Sequence, residues 1–104
     1  MKPKLTIKSI ADDMIDEYFD LNGKEKTYND INRLNAKINW FVFSRPLNKE
    51  YWFKLSFIED KLTSALRKLA PDKDTPYLIK IEDTKKKLDQ YWKEFKNGKL
   101  RKKL

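Results

Sequence analysis

The chain has 104 residues, 24 of them Lys or Arg and 16 Asp or Glu, for a formal net charge of +8. It has no cysteine and no histidine, which excludes disulfides, thiolate metal sites and the usual general base and pH switch. One domain of this size buries a modest core, and the absences weigh against an enzyme, so a non-enzymatic protein is expected.

The first helix is predicted to start at Ser9 as N-cap, with Asp12 three residues on in capping-box position. Ile10, Ala11, Met14, Ile15, Tyr18 and Phe19 form its apolar half, and Asn22-Gly23 ends it, glycine taking the left-handed conformation after the last turn. Its outer face is wholly acidic: Asp12, Asp13, Asp16, Glu17 and Asp20. Asp12-Asp13-Met14-Ile15-Asp16 matches the DDxxD letters that hold magnesium in prenyl-transferring enzymes. The chain is too short for that fold and shows no second acidic cluster, so the face reads as solvated or partner-facing, with no metal and no cofactor.

The second helix is predicted from Thr27, with Asp30 completing a second capping box, to about Phe43, before Pro46. An α-helix turns about 100° per residue, which puts Ile31, Leu34, Ile38, Phe41 and Val42 on one side. Trp40 and Phe43 fall off that stripe. The third helix is predicted from about Leu47 or Asn48 to Leu69, before Pro71, with Tyr51, Leu55, Ile58, Leu62, Leu66 and Leu69 facing inward. Phe53 and Phe57 point nearly the opposite way, followed along the same flank by Lys61, Ser64 and Lys68, with Lys54 and Arg67 at its margins. Seven of the fourteen aromatic residues lie within 40–57. Trp40, Phe43, Phe53 and Phe57 therefore need a second burial partner, inside the chain or outside it.

The fourth helix is predicted from Thr75 as cap and Pro76 in the first turn, with an inward stripe of Tyr77, Ile81, Thr84, Leu88, Tyr91, Trp92 and Phe95, closing at Asn97-Gly98. Residues 77–81 also suit a short strand. Glu82–Lys86, Asp83–Lys87 and Asp89–Lys93 are spaced to pair along a helix. The N-terminus, 1–8, is expected to be extended, with Leu5 and Ile7 docking on the body. The expected architecture is all-α: a compact antiparallel bundle of four helices, residues 1–98, with a basic tail, 99–104.

Residues 80–104 carry a net charge of +6, three quarters of the excess. A basic end is the footprint of phosphate backbones or an acidic partner. Rings beside lysines are what single-stranded nucleic-acid platforms use. These features support two functional expectations. The first is a nucleic-acid-binding accessory protein, of the kind a phage or mobile element carries, using Arg45, Phe53, Lys54, Phe57, Lys61, Lys68, Lys85, Lys86, Lys87, Lys96, Lys99, Arg101, Lys102 and Lys103. The second is an inhibitor or adaptor that grips another protein through Asp13, Asp16, Asp20, Trp40, Phe43 and Trp52. Self-association as a homo-oligomer is compatible with either. The longest apolar run, Trp40-Phe41-Val42-Phe43, is far too short to span a membrane, and no secretory signal is visible, so a cytoplasmic location is expected.

Overall fold

The structure, a computed structural model, describes residues 6–98; Leu5 and the whole 99–104 tail lie outside them. Four helices run in chain order: α1 (Ile7–Asp20), α2 (Tyr28–Ser44), α3 (Lys49–Leu69) and α4 (Lys85–Lys96). Two short strands, β1 (Glu25–Lys26) and β2 (Tyr77–Leu78), pair antiparallel with Glu25 opposite Leu78 and Lys26 opposite Tyr77. The all-α bundle expected from the periodicity is the fold. Among the described residues no helix is long and apolar enough to cross a membrane.

The apolar stripes become one core. Ala11, Met14, Ile15 and Tyr18 of α1 meet Ile31, Leu34, Ile38 and Phe41 of α2 and all six inward residues of α3. Central in this packing, α3 touches each of the other three helices. Its helical ends are set by local chemistry: the Asn48 side chain accepts from the Tyr51 backbone N–H at 2.9 Å, and Pro71 stops it. Thr27 and Asp30 close the capping box at the start of α2.

At the start of α1 the structure corrects the expected cap. Thr6, not Ser9, is the N-cap, and the two side chains exchange bonds with each other's backbone N–H at 2.9 and 3.0 Å. That reciprocal pair draws Ile7 and Lys8 into the helix instead of leaving them extended. Gly23, at φ +81°, turns the chain out of α1 as expected.

The fourth helix is the larger correction. It begins at Lys85, with Thr84 as cap, rather than at Pro76. Residues 77–81 are extended because their backbone groups are spent on the α1–α2 connection. The Gly23 N–H donates to the Ile79 carbonyl at 2.8 Å, the Ile79 N–H to the Lys24 carbonyl at 2.9 Å, and the Ile81 N–H to Asn22 Oδ1 at 2.9 Å. Their burial alternates, with Ile79 in and Leu78 and Lys80 out, which is the period of a strand. The helical phase shared by Tyr77 and Phe95 is a coincidence of spacing.

Helix directions bring four helix ends together. Tyr51 donates its hydroxyl to Asp12 at 3.0 Å, tying the start of α3 to the second turn of α1. The short 45–48 loop brings the end of α2 to the same place. Phe57 meets Tyr91 and Phe53 meets Phe95, so α4 runs antiparallel to α3 and ends there too. One end of the bundle, the tip, thus gathers the start of α1, the end of α2, the start of α3 and the end of α4.

Candidate nucleic-acid interface

The off-stripe rings divide into two groups. Phe53 lies 4.8 Å from Phe95 and 5.8 Å from Trp92 between ring centroids, and Phe57 lies 5.6 Å from Tyr91. These are ordinary packing distances. The α3 flank that resembles a stacking surface in the sequence is therefore covered by α4 over its first half, and Leu88 is sealed beneath the same helix. Phe53 and Phe57 have found their second burial partner inside the chain. Trp40 and Phe43 have not: they are 72% and 81% exposed, and Trp52 is 50% exposed.

Among the described residues six large apolar side chains are exposed; five (Ile7, Trp40, Phe43, Trp52 and Phe95) are at the tip and Leu78 is at the far end. Helical phase defines the arrangement further. Trp40 and Phe43 are one turn apart on the outer side of α2. Asn39 donates to Glu59 Oε2 at 3.0 Å, which marks one edge of the α2–α3 pair. Phe43 lies one turn beyond Asn39 on that edge, and Trp52 two turns before Glu59. The covered flank of α3, centred on Phe53, Lys54 and Phe57, is rotated roughly 150° from Trp52.

The expected cations also separate. Lys54 is buried at 8% exposure, its ammonium 2.8 Å from Glu50 and 2.5 Å from Asp89. Burial lowers its pKa, but the two carboxylates more than offset this and hold it above the ordinary lysine value. It is a strut between α3 and α4 and has no proton or charge to offer a phosphate. Lys85 pairs with Asp16 and ties α4 to α1. Lys85, Lys86 and Lys87 fill the first turn of α4, the positive end of its dipole, where like charge is locally unfavourable. Lys87 hovers 5.9 Å above the Tyr91 ring. The spacing-based pairs of this helix give way to longer-range ones: Asp83 accepts from the Tyr91 hydroxyl at 3.0 Å, and Asp89 turns to Lys54.

Lys61 and Lys68 are exposed on the far half of α3. With Lys80, Ser64 and Tyr77 they rim a groove of about 260 Å³ floored by Tyr18 and Leu62, and Lys61 lies 5.3 Å over the Phe57 ring. A second groove of about 370 Å³, between α1 and α2, carries Glu17, Asp20 and Asp30 among Lys24, Lys26, Arg33 and Lys37, so its cations are largely offset by carboxylates. Arg45 and Lys96 are exposed at the tip. Lys99, Arg101, Lys102 and Lys103 lie outside the described residues. The nucleic-acid set read from the sequence is therefore not one surface.

The acidic face of α1 is partly spent inside the chain. Asp12 holds Tyr51, Asp16 holds Lys85, and Glu17 holds Lys37 at 2.7 Å. Asp13 and Asp20 remain exposed. Among the described residues no group of three His, Cys, Asp or Glu converges to hold a metal ion.

One charge-biased stretch runs along α2 and reaches the tip at its C-terminal end. Residues 31–49 contain no Asp or Glu in nineteen positions, yet carry Arg33, Lys37, Arg45 and Lys49. The ends of the chain show the same bias. Residues 1–8 and 99–104 carry seven basic side chains and no acidic one, so residues 9–98 have a net charge of only +1.

Two tyrosines register the packing electrostatically. Burial, followed by the nearby Asp83 carboxylate, pushes the Tyr18 hydroxyl up to about 12, and burial, followed by the Asp12 hydrogen bond, does the same to Tyr51. Both stay neutral in the fold to higher pH than in the unfolded chain. Their contribution is complete below pH 10 and is lost as pH rises from 10 towards 12. Lys54, also raised, acts in the same sense. Urea-unfolding midpoints followed by circular dichroism should therefore be flat to about pH 9 and fall steeply above 10. Tyr18→Phe, which removes the titrating group, should shrink that fall.

Compared with protein families, curated proteins and solved structures, the chain matches no family model, no curated protein and no solved structure.

Proposed function

We propose that this protein is a small non-enzymatic nucleic-acid-binding accessory protein that engages its target through the tip of the bundle. One observation carries the reading: exposed rings and exposed basic side chains coincide at one end of the molecule. Trp40, Phe43, Trp52 and Phe95 are exposed there beside Arg45, Lys49 and Lys96. Lys8 is exposed at the start of α1, at the same end. A cationic surface set around apolar rings is suited to an anionic polymer that also offers flat faces.

The adaptor reading rests on the acidic first helix together with Trp40, Phe43 and Trp52; the three rings are exposed, but three of the helix's five carboxylates are engaged internally. What remains, Asp13 and Asp20, is a small docking surface. A host-protein partner therefore keeps the exposed rings but loses part of the acidic surface that the sequence implied.

Fluorescence anisotropy of a labelled oligonucleotide at about 50 and about 200 mM salt tests the proposal. Contacts to three or four phosphates predict a loss of affinity of roughly 10–100-fold between the two. No detectable binding to DNA or RNA at the lower salt would end it.

A further inference from the structure

We infer that the tip selects single-stranded over duplex nucleic acid, with unpaired bases stacked on Trp40, Phe43 and Trp52; this rests on the nucleic-acid reading above. None of these three rings is among the ring–ring contacts of the described residues, and none of their side chains is in a hydrogen bond. They stand out from α2 and α3 on adjoining faces. In a duplex the base faces are consumed by stacking, and only edges and phosphates are accessible in the grooves. A flat ring gains little there. An unpaired strand exposes the faces themselves, and aromatic side chains bind them with little regard to sequence.

The spacing suits a flexible strand. Trp40 and Phe43 are one helical turn apart, close enough for neighbouring nucleotides, and Trp52 continues the surface onto α3. Arg45 and Lys49 lie in the chain between Phe43 and Trp52 and are exposed, in position to hold the phosphates that connect stacked bases. The absence of carboxylates over 31–49 leaves nothing in this stretch to repel them. The same charge argues against a second copy as the occupant. A two-fold interface through this patch would gather Arg45 and Lys49 of both copies in one contact with no counter-charge from this stretch.

The test uses the full chain carrying Trp92→Phe, because Trp92 packs beside Phe53 and Phe95 on the covered flank, and its removal leaves emission from Trp40 and Trp52. This protein is titrated with a thymidine oligomer, a duplex of equal length, an abasic strand with the same number of phosphates, and anionic phospholipid vesicles. The expected result is strong quenching by the thymidine oligomer, with affinity roughly tenfold or more above that for duplex and abasic strand. Trp40→Ala with Phe43→Ala should abolish that preference while circular dichroism stays unchanged. Equal affinity for all three nucleic acids without quenching would overturn base stacking and leave phosphate binding intact. Binding to vesicles alone would overturn both, as would binding to nothing.

Discussion

Replacing Leu88 with alanine should cost about 2–4 kcal/mol of stability, whereas Phe43→Ala should leave stability within about 0.5 kcal/mol of the parent. Both residues are large and apolar; their surroundings differ. Leu88 is 1% exposed and is the one fully enclosed side chain of α4. Its removal leaves a cavity under a helix that is otherwise held by half-buried rings and by the Lys54–Asp89 contact. Phe43 projects into solvent and loses almost nothing on truncation. Phe53→Ala should fall between them, because its ring is partly shielded by Trp92 and Phe95. For a domain of this size, each kcal/mol shifts the midpoint by about 4–8 °C, so thermal melts resolve the three variants easily. A stability loss at Phe43 equal to that at Leu88 would mean that Phe43 is buried in solution, and the exposed tip would not exist.

That contrast shows where sequence periodicity is informative and where it fails. The inward residues of α1, α2 and α3 are legible because a helix of fixed pitch has one face to bury, and 100° steps identify it. All six inward positions predicted for α3 are in the core. The same arithmetic shows that Phe43 and Phe53 lie off the stripe, but not which of them a fourth helix covers. That depends on tertiary placement of α4, through contacts such as Asp89 with Lys54 and Phe95 with Phe53, which no local pattern encodes. The start of α4 escapes the periodicity for a related reason. Tyr77 and Ile81 match a helical stripe, yet backbone groups of 79–81 bond to residues 22–24 instead, and tertiary pairing overrides local phase. Lys54 illustrates the converse. On a helical wheel it sits at the margin of the flank, indistinguishable from a solvated lysine, and only the convergence of Glu50 and Asp89 makes it a buried strut. The carboxylate-free 31–49 stretch is readable directly, as a local gap in an otherwise acid-rich chain.

Reversing charge at the tip should separate the two groups of exposed lysines and arginines. Arg45→Glu with Lys49→Glu is expected to weaken oligonucleotide binding by roughly 10–100-fold at low salt and to reduce the slope of log affinity against log salt by about 2, one for each phosphate contact removed. Lys61→Glu with Lys68→Glu makes the same change in net charge on the far half of α3. If the target is drawn only by overall charge, the two double variants will lose affinity equally. If the rings at the tip fix where the strand lies, the second pair sits several helical turns away and beyond a Debye length of about 8–10 Å, and its loss should be small. Both pairs are exposed, so neither should shift the thermal midpoint appreciably, and an affinity change can be assigned to the surface rather than to unfolding. Anisotropy titrations at three or four salt concentrations distinguish the cases. Matching losses from the two variants would place the binding energy in diffuse electrostatics and remove the reason for assigning it to Trp40, Phe43 and Trp52.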